Sequence, residues 1–178
     1  MTKSKFATRD VALTGLMAAV ICICGPLSIP IGVIPVSLTP FAIMLAVEIL
    51  GRNRGTMACL IYLLIGLVGL PVFSGFSGGV GKLFGPTGGF LFSFAFMTLI
   101  AGTFIDKFSN VIMHMLGGIL GLIFLYAIGT LWLSFQASMT IPQALAAAVI
   151  PFVPMDIAKI VLAVLLGKAV KERIKIFG

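Results

Sequence analysis

The sequence has few charged residues. They make up 10% of its 178 residues, whereas hydrophobic residues make up 60%. Soluble domains carry about 25% charged residues, so this composition excludes an ordinary soluble protein. A transmembrane helix needs about 20 mainly apolar residues, and the length therefore allows about six spans with short connections. Because no room is left for a soluble domain, we predict a single transmembrane domain over residues 1–178.

The sequence also lacks catalytic signatures. It has no phosphate-binding loop, no zinc-protease motif and no serine-hydrolase motif. Its single histidine, His114, has no acidic residue close by in the sequence, and we interpret it as a buried packing residue rather than a proton relay. The three cysteines, Cys22, Cys24 and Cys59, lie in apolar runs and are interpreted as small buried residues. We therefore predict no catalytic centre, no metal site and no ATP hydrolysis by this chain.

The net charge of +7 does not indicate a nucleic-acid partner, because the basic residues lie at the chain ends and between apolar runs. Such a distribution is typical of cytoplasmic segments of a protein embedded in a lipid bilayer. Six spans with both termini cytoplasmic place ten of the twelve basic residues on that side: Lys3, Lys5, Arg9, Arg52, Arg54, Lys107, Lys168, Lys171, Arg173 and Lys175. Lys82 and Lys159 are the two exceptions.

The apolar runs predict six spans: 11–24, 41–50, 55–70, 86–105, 111–135 and 154–168, with a short apolar piece at 144–149. The first is interpreted as a membrane helix that is retained, because no clear signal-peptide cleavage site follows it. Glu48 and Arg52 have the spacing of a helical ion pair, and we predict a solvated helix end there. Tyr126 and Trp132 are interpreted as an aromatic belt at the membrane surface.

Two further segments flank the first spans. Pro26, Pro30, Pro35 and Pro40 exclude a continuous helix over 25–40, which we predict to be an uncharged outer loop that covers a site. In span one, small residues recur at four-residue spacing, a pattern that allows another helix to approach closely in lipid. This predicts a partner-docking face formed by Gly15, Ala18, Ala19 and Cys22.

The segment 69–90, GLPVFSGFSGGVGKLFGPTGGF, holds eight glycines and two prolines and has one charge, Lys82. A regular helix does not tolerate this density, and irregular backbone at membrane depth must be buried in protein or line a cavity. We interpret the segment as a folded binding loop, with a surface connector as the alternative. Lys82 either receives a ligand carboxylate or lies at the lipid headgroups.

Asp156 and Lys159 are ionisable residues at the start of the sixth predicted span. Their i,i+3 spacing puts them on one face of a helix, near N–H groups that favour an anion. They offer an acceptor and a donor, which predicts a polar clamp for a small ligand. An ion pair that joins this helix to a neighbour is the alternative, and one arrangement can serve both purposes.

The loop motif GLPVFSGFSGGVGKLFGPTGGFL, followed at a distance by PFVPMDIAKI, resembles the BioY family. Members of that family are the biotin-binding substrate-capture (S) components of bacterial energy-coupling factor (ECF) transporters. The resemblance covers residues 13–166. The segment IPIGVIPVSLTPF is similar to the family's first loop, with a departure near Thr39, where the family usually has glutamine.

The resemblance implies an all-α protein with six transmembrane helices in the bacterial cell membrane, both termini cytoplasmic, and ordered loops over an outward-facing pocket. Asp156 and Lys159 match the family's ligand-binding Asp and Lys. It implies biotin as the transported ligand, no cofactor, and docking through span one onto a membrane coupling protein driven by two ATPase subunits. An S component for another vitamin and a small intramembrane enzyme using Asp156 or His114 remain the alternatives.

Biotin has a ureido ring, an apolar thioether ring and a carboxylate tail. We expect aromatic residues of the loop, Phe73, Phe76 and Phe90, to pack against its rings, and N–H groups of the loop to hold its polar edges. The complete set of expected substrate-binding residues is Thr39, Phe73, Ser74, Gly75, Gly78, Gly79, Lys82, Thr87, Phe90, Asp156 and Lys159.

Overall fold

Helices make up most of the computed structural model, which describes residues 8–31 and 34–176. In chain order the elements are α1 (Thr8–Cys24), β1 (Ser28–Ile31), β2 (Ile34–Ser37), α2 (Thr39–Leu50), α3 (Arg52–Leu67), α4 (Val80–Leu83), α5 (Gly88–Lys107), α6 (Val111–Gln136), α7 (Ile141–Ala148) and α8 (Val153–Ile176). Lys3 and Lys5, which we assigned to the cytoplasmic side, lie outside the described residues.

The helices differ in their capacity to cross a membrane. Within the described ranges, α5 and α6 are long and apolar enough to do so, and α7 and α8 pass the same test together as a pair bent by 51°. α2 has 12 residues and is about 18 Å long, well short of the roughly 30 Å hydrocarbon core. The count of six spans and their orientation remain predictions.

The segment that we predicted as an outer loop contains a pair of strands. β1 and β2 are antiparallel, with Ser28 opposite Ser37, Ile29 opposite Val36 and Pro30 opposite Pro35. Proline cannot donate a ladder hydrogen bond and is tolerated in strands that have a free edge. A two-stranded ribbon consists only of edge strands, so the prolines that exclude a helix here are compatible with this pairing.

α2 is the most deeply buried helix of the bundle and contacts α1, α3, α5 and α8. Ala42, Ile43, Met44, Ala46 and Val47 are each at most 1% exposed. The sequence of α2, TPFAIMLAVEIL, is apolar on all sides apart from Glu48. A helix of this kind is stable only when protein or lipid surrounds it, which agrees with its central position.

The predicted pairing of Glu48 with Arg52 is wrong. Glu48 is 1% exposed, and its Oε1 lies 2.9 Å from Nδ1 of His114, while Nε2 of His114 lies 2.8 Å from the carbonyl oxygen of Phe108. The backbone N–H of Arg52 instead donates to the carboxylate of Asp106. The prediction that His114 is buried is confirmed. Its acidic partner, Glu48, lies 66 positions away in the sequence.

The glycine-rich segment folds around the side chain of Phe73, which is fully buried. Its ring meets Tyr62 edge-on, with centroids 5.5 Å apart, and lies over Gly66 of α3. The backbone of Phe73 pairs with that of Ser77, and the N–H of Gly79 donates to the carbonyl oxygen of Gly66 at 2.7 Å. The segment is therefore anchored to α3 by one ring and by backbone hydrogen bonds.

Gly66→Ala is expected to destabilise the protein, because a Cβ at this position would lie 2.1 Å from Cζ of Phe73. Overpacking of this kind costs about 1–3 kcal/mol, which corresponds to a fall of roughly 2–12 °C in the thermal midpoint. Thermal unfolding of the purified protein in detergent measures it. Gly15→Ala is the matched control, since nothing lies within 4 Å of its added Cβ. Equal midpoints for the two variants would contradict this account of Phe73.

Candidate functional site

A cavity lies between the β1–β2 pair, the glycine-rich segment, α5, α6 and the start of α8. It encloses about 640 Å³ of space, including its open mouth. Its walls are mainly apolar and aromatic with a few polar side chains, as is typical of sites for small molecules. The lining residues are Pro35, Val36, Ser37, Pro40, Phe73, Ser74, Lys82, Thr87, Phe90, Leu91, Phe94, Leu125, Tyr126, Ala148, Phe152 and Asp156.

The ionisable pair lies at this cavity because the chain bends between α7 and α8. Pro151 lies in the break and Pro154 is the second residue of α8, which begins at Val153, so that Asp156 falls in the first turn of α8. Lys159 follows one turn later and donates to Oδ1 of Asp156 at 2.8 Å. The two residues are 6% and 9% exposed, which makes this a buried ion pair on one helix face, as their spacing predicted.

Both members of the pair are also bonded to neighbouring elements. The hydroxyl of Tyr126 on α6 donates to Oδ2 of Asp156 at 2.7 Å, and Nζ of Lys159 donates to the carbonyl oxygen of Ser37 on β2 at 2.7 Å. The pair therefore joins α8 to α6 and to the β1–β2 pair. Such additional hydrogen bonds are what offsets the cost of removing two charges from water.

The two charged residues differ in their access to the cavity. Asp156 lines the wall, whereas Lys159 does not and lies behind it. Each carboxylate oxygen of Asp156 has one donor in the protein and retains a lone pair for another. The geometry thus leaves Asp156 able to accept a hydrogen bond from a molecule in the cavity, with Lys159 and Tyr126 fixing the orientation of its carboxylate.

Lys82 and Thr87 are the further polar residues that the glycine-rich segment brings to the wall, together with Ser74. Lys82 is half-buried and forms no ion pair within the described part of the chain. The hydroxyl of Thr87 is buried and has no hydrogen-bond partner among the described residues. Phe73 and Phe90 form apolar parts of the same wall. Lys82 therefore lies at the cavity wall, and its role as the partner of a ligand carboxylate stays a prediction.

Four other predicted binding residues do not line the cavity. Gly75 and Gly79 have positive φ angles of 73° and 87°, and an added Cβ at Gly78 would meet the carbonyl oxygen of Leu70 at 2.2 Å. These glycines therefore allow the segment to turn and pack closely. Thr39 is 1% exposed, and its hydroxyl lies 2.5 Å from that of Ser37 at the start of α2. All four shape the surroundings of the cavity rather than its wall.

Two aromatic predictions, those for Tyr126 and Phe76, are corrected, whereas the belt position of Trp132 stays a prediction. Tyr126 is not part of a surface belt, since it is 9% exposed and its hydroxyl is bonded to Asp156. Trp132 packs against Gly89, and its indole N–H donates to the carbonyl oxygen of Gly85 at 2.9 Å. Phe76 has a positive φ of 54°, is 69% exposed and is not among the residues that line the cavity.

Several lining residues were missed from the sequence. Phe94 had a signal, because it lies four residues after Phe90 on the same face of α5. Leu125 and Phe152 are apolar residues within apolar runs, and nothing local distinguishes them from packing residues. The lining residues between positions 35 and 40 are placed at the cavity by the pairing of β1 with β2, which was not predicted.

The predicted docking face on α1 is only partly available to a partner. Gly15 and Ala19 are exposed and Cys22 is half-buried, whereas Ala18 is 2% exposed. Ala18 belongs to the hydrophobic core of this chain and is therefore removed from the docking face. The remaining three residues occupy positions i, i+4 and i+7, which lie on one side of a helix.

Across residues 8–31 and 34–176 there is no group of three His, Cys, Asp or Glu side chains that could hold a metal ion. Cys22, Cys24 and Cys59 are free thiols. The ligand-binding capacity of the described site therefore lies in hydrogen bonds, apolar contacts and the charges of Asp156 and Lys82.

Known proteins resemble this chain along most of its length. The BioY family model matches residues 1–176. Biotin transporter BioY2 of Lactococcus lactis subsp. cremoris (strain MG1363) is 40% identical over 162 residues, 90% of this chain and 88% of that protein. Biotin transporter BioY of Thermotoga maritima is 35% identical over 164 residues, 92% of this chain and 96% of that protein.

The fold also matches a solved structure, the crystal structure of the S-component for biotin from an ECF-type ABC transporter. The TM-score is 0.86 at 31% identity, and the match covers 92% of this chain and 91% of that chain. The resemblance predicted from the glycine-rich segment and the PFVPMDIAKI motif is thereby confirmed, as is a helical membrane protein of the S-component type. The chain belongs to the BioY family.

Proposed function

We propose that this protein captures biotin in the cavity and acts as the substrate-binding component of an ECF transporter in a bacterial cell membrane. The observation that carries the proposal is a buried, oriented carboxylate, that of Asp156, in the wall of an otherwise mainly apolar cavity. The biotin transporters among its relatives supply the choice of ligand.

The chemistry of biotin matches the distribution of groups around the cavity. Asp156 accepts a hydrogen bond from a ureido N–H, while Lys159 and Tyr126 hold the carboxylate in place. Phe73 and Phe90 pack against the apolar rings. Lys82, at the wall and without an ion pair among the described residues, receives the carboxylate tail.

Transport rather than catalysis is the activity of this family, whose members are transporter components and not enzymes. The enzyme alternative had used Asp156 or His114 as acid or base. His114 does not line the cavity and is bonded to Glu48 and to a backbone carbonyl. Of the two groups, only Asp156 is therefore placed to contact a ligand in the cavity.

For energy we propose a partner module made of a membrane coupling protein and two ATPase subunits. The exposed small residues of α1, Gly15 and Ala19 with Cys22 beside them, form the contact with the coupling protein. Small side chains allow two helices to approach closely in lipid, where van der Waals packing drives association.

Asp156→Asn is expected to weaken biotin binding by about 10- to 100-fold, because a hydrogen bond to a charged group contributes about 1.5–3 kcal/mol. Isothermal titration calorimetry with the purified protein in detergent measures it. Asp106→Asn makes the same chemical change at an exposed residue away from the cavity and should leave the affinity unchanged. Unchanged affinity in Asp156→Asn would contradict the assigned role of this carboxylate.

The same preparation tests the choice of ligand. Added biotin should displace bound biotin, whereas added lipoate, thiamine or riboflavin should not displace it. If another vitamin binds and biotin does not compete with it, the protein is an S component for that vitamin, and the biotin proposal fails.

Gly15→Leu combined with Ala19→Leu is expected to abolish co-purification with the coupling protein and to reduce cellular biotin uptake severalfold, without changing biotin affinity in detergent. Added bulk on an exposed small-residue face prevents close helix approach and does not reach the cavity. Ala127→Leu, a similar change at an exposed position of α6, is the control. Normal assembly of the double variant would show that the partner docks elsewhere.

A further inference from the structure

A second cavity lies at the opposite end of the bundle, where α2 turns into α3. It encloses about 850 Å³, including its open mouth. Lys171 lines it from α8, and Asp156 lies fifteen residues earlier on the same helix, roughly 22 Å away along its axis. This distal recess is therefore separate from the cavity that we assign to biotin.

The shortness of α2 explains why the recess exists. α2 spans about 18 Å, whereas α1 and α8, with 17 and 24 residues, reach about 25 and 36 Å. Gly167 of α8 lies against Glu48, so the residues of α8 that follow it continue beyond the end of α2 at Leu50. The recess lies over that end, between the first turn of α1 and the last turns of α8.

The wall of the recess has two chemically different parts. Leu13, Ile49 and Leu50 form an apolar side. Three cations, Arg9, Arg54 and Lys171, face two carboxylates, those of Asp10 and Asp106, so the charge of the lining is 3 − 2 = +1. A molecule that fits both parts has an anionic head and an apolar body.

The carboxylates in the recess already have partners in the protein. Asp10 pairs with Arg54, and Asp106 accepts hydrogen bonds from the backbone N–H of Arg52 at 3.3 Å. Lys171 is half-buried and forms no ion pair with any described residue. Among the described residues its ammonium group thus has no carboxylate within ion-pair distance, and the buried carboxylate of Glu48 acts on it only from farther away.

We propose that the distal recess binds the phosphate headgroup of an anionic phospholipid, such as phosphatidylglycerol, from the membrane leaflet opposite the biotin cavity. Lys171 and Arg9 attract the phosphate, and Leu13, Ile49 and Leu50 contact the glycerol and the upper acyl chains. Basic pockets between transmembrane helices are known to suit such headgroups. The bound lipid fills the space that the short α2 leaves open and stabilises the packing of α1 and α8 around it.

Native mass spectrometry of the protein in detergent, titrated with phosphatidylglycerol or with phosphatidylcholine of the same acyl chains, tests this. One phosphatidylglycerol should bind, at least about tenfold more tightly than phosphatidylcholine. Arg9→Gln combined with Lys171→Gln should weaken it by about tenfold or more. Lys107→Gln combined with Arg173→Gln removes two exposed cations outside the recess and should change the affinity less than about threefold.

Equal affinity for the two lipids would overturn the proposal, and so would equal losses in the two double variants, which would indicate diffuse surface attraction. Displacement of phosphatidylglycerol by millimolar inorganic phosphate would identify a site for free anions and would also overturn it. Thermal unfolding checks that each variant is folded. Should the recess variant not fold, the comparison of the two lipids on the unchanged protein decides.

Discussion

The hydrogen bonds around Asp156 and Lys159 fix the relative positions of three elements that do not adjoin in the sequence. The carboxylate of Asp156 accepts hydrogen bonds from the ammonium group of Lys159 on the same helix and from the hydroxyl of Tyr126 on α6. The ammonium group of Lys159 also donates to the carbonyl oxygen of Ser37. Removing one partner would leave a buried charge uncompensated, which is strongly unfavourable. These hydrogen bonds consequently hold Asp156, Tyr126 and Ser37, three residues of the cavity wall, in fixed relative positions.

A second buried polar network lies away from the first and serves a different purpose. Glu48 of α2 and His114 of α6 are bonded to each other, and His114 also reaches the carbonyl oxygen of Phe108 just before α6 begins. This network joins the central helix to the α5–α6 connection and faces no ligand cavity. The first network can serve a ligand, because Asp156, Tyr126 and Ser37 all line a cavity. Glu48 and His114 line neither of the two cavities described, so their pair serves packing.

The sequence predicted the features that depend on local spacing. Asp156 and Lys159 share a helix face because they are three residues apart, and the glycine-rich segment had to fold against protein because lipid cannot satisfy its backbone. Contacts between distant residues were not predictable in this way: Tyr126 lies 30 positions from Asp156, and Glu48 lies 66 from His114. The four-residue spacing of small residues identified both Gly15 and Ala18 on α1, but it did not show which of the two is buried in the bundle.

The length of α2 links the two ends of the molecule. As the second of the six predicted spans, α2 would cover about 18 Å of a hydrocarbon layer of about 30 Å and would leave roughly 12 Å of depth to other parts of the molecule. At one end of α2 the β1–β2 pair runs directly into the helix and forms part of the wall of the cavity that we assign to biotin. On the other side the chain turns at Gly51 straight into α3 and leaves the distal recess. The two cavities therefore lie at opposite ends of one central helix, and the residues around each cavity determine what it can bind.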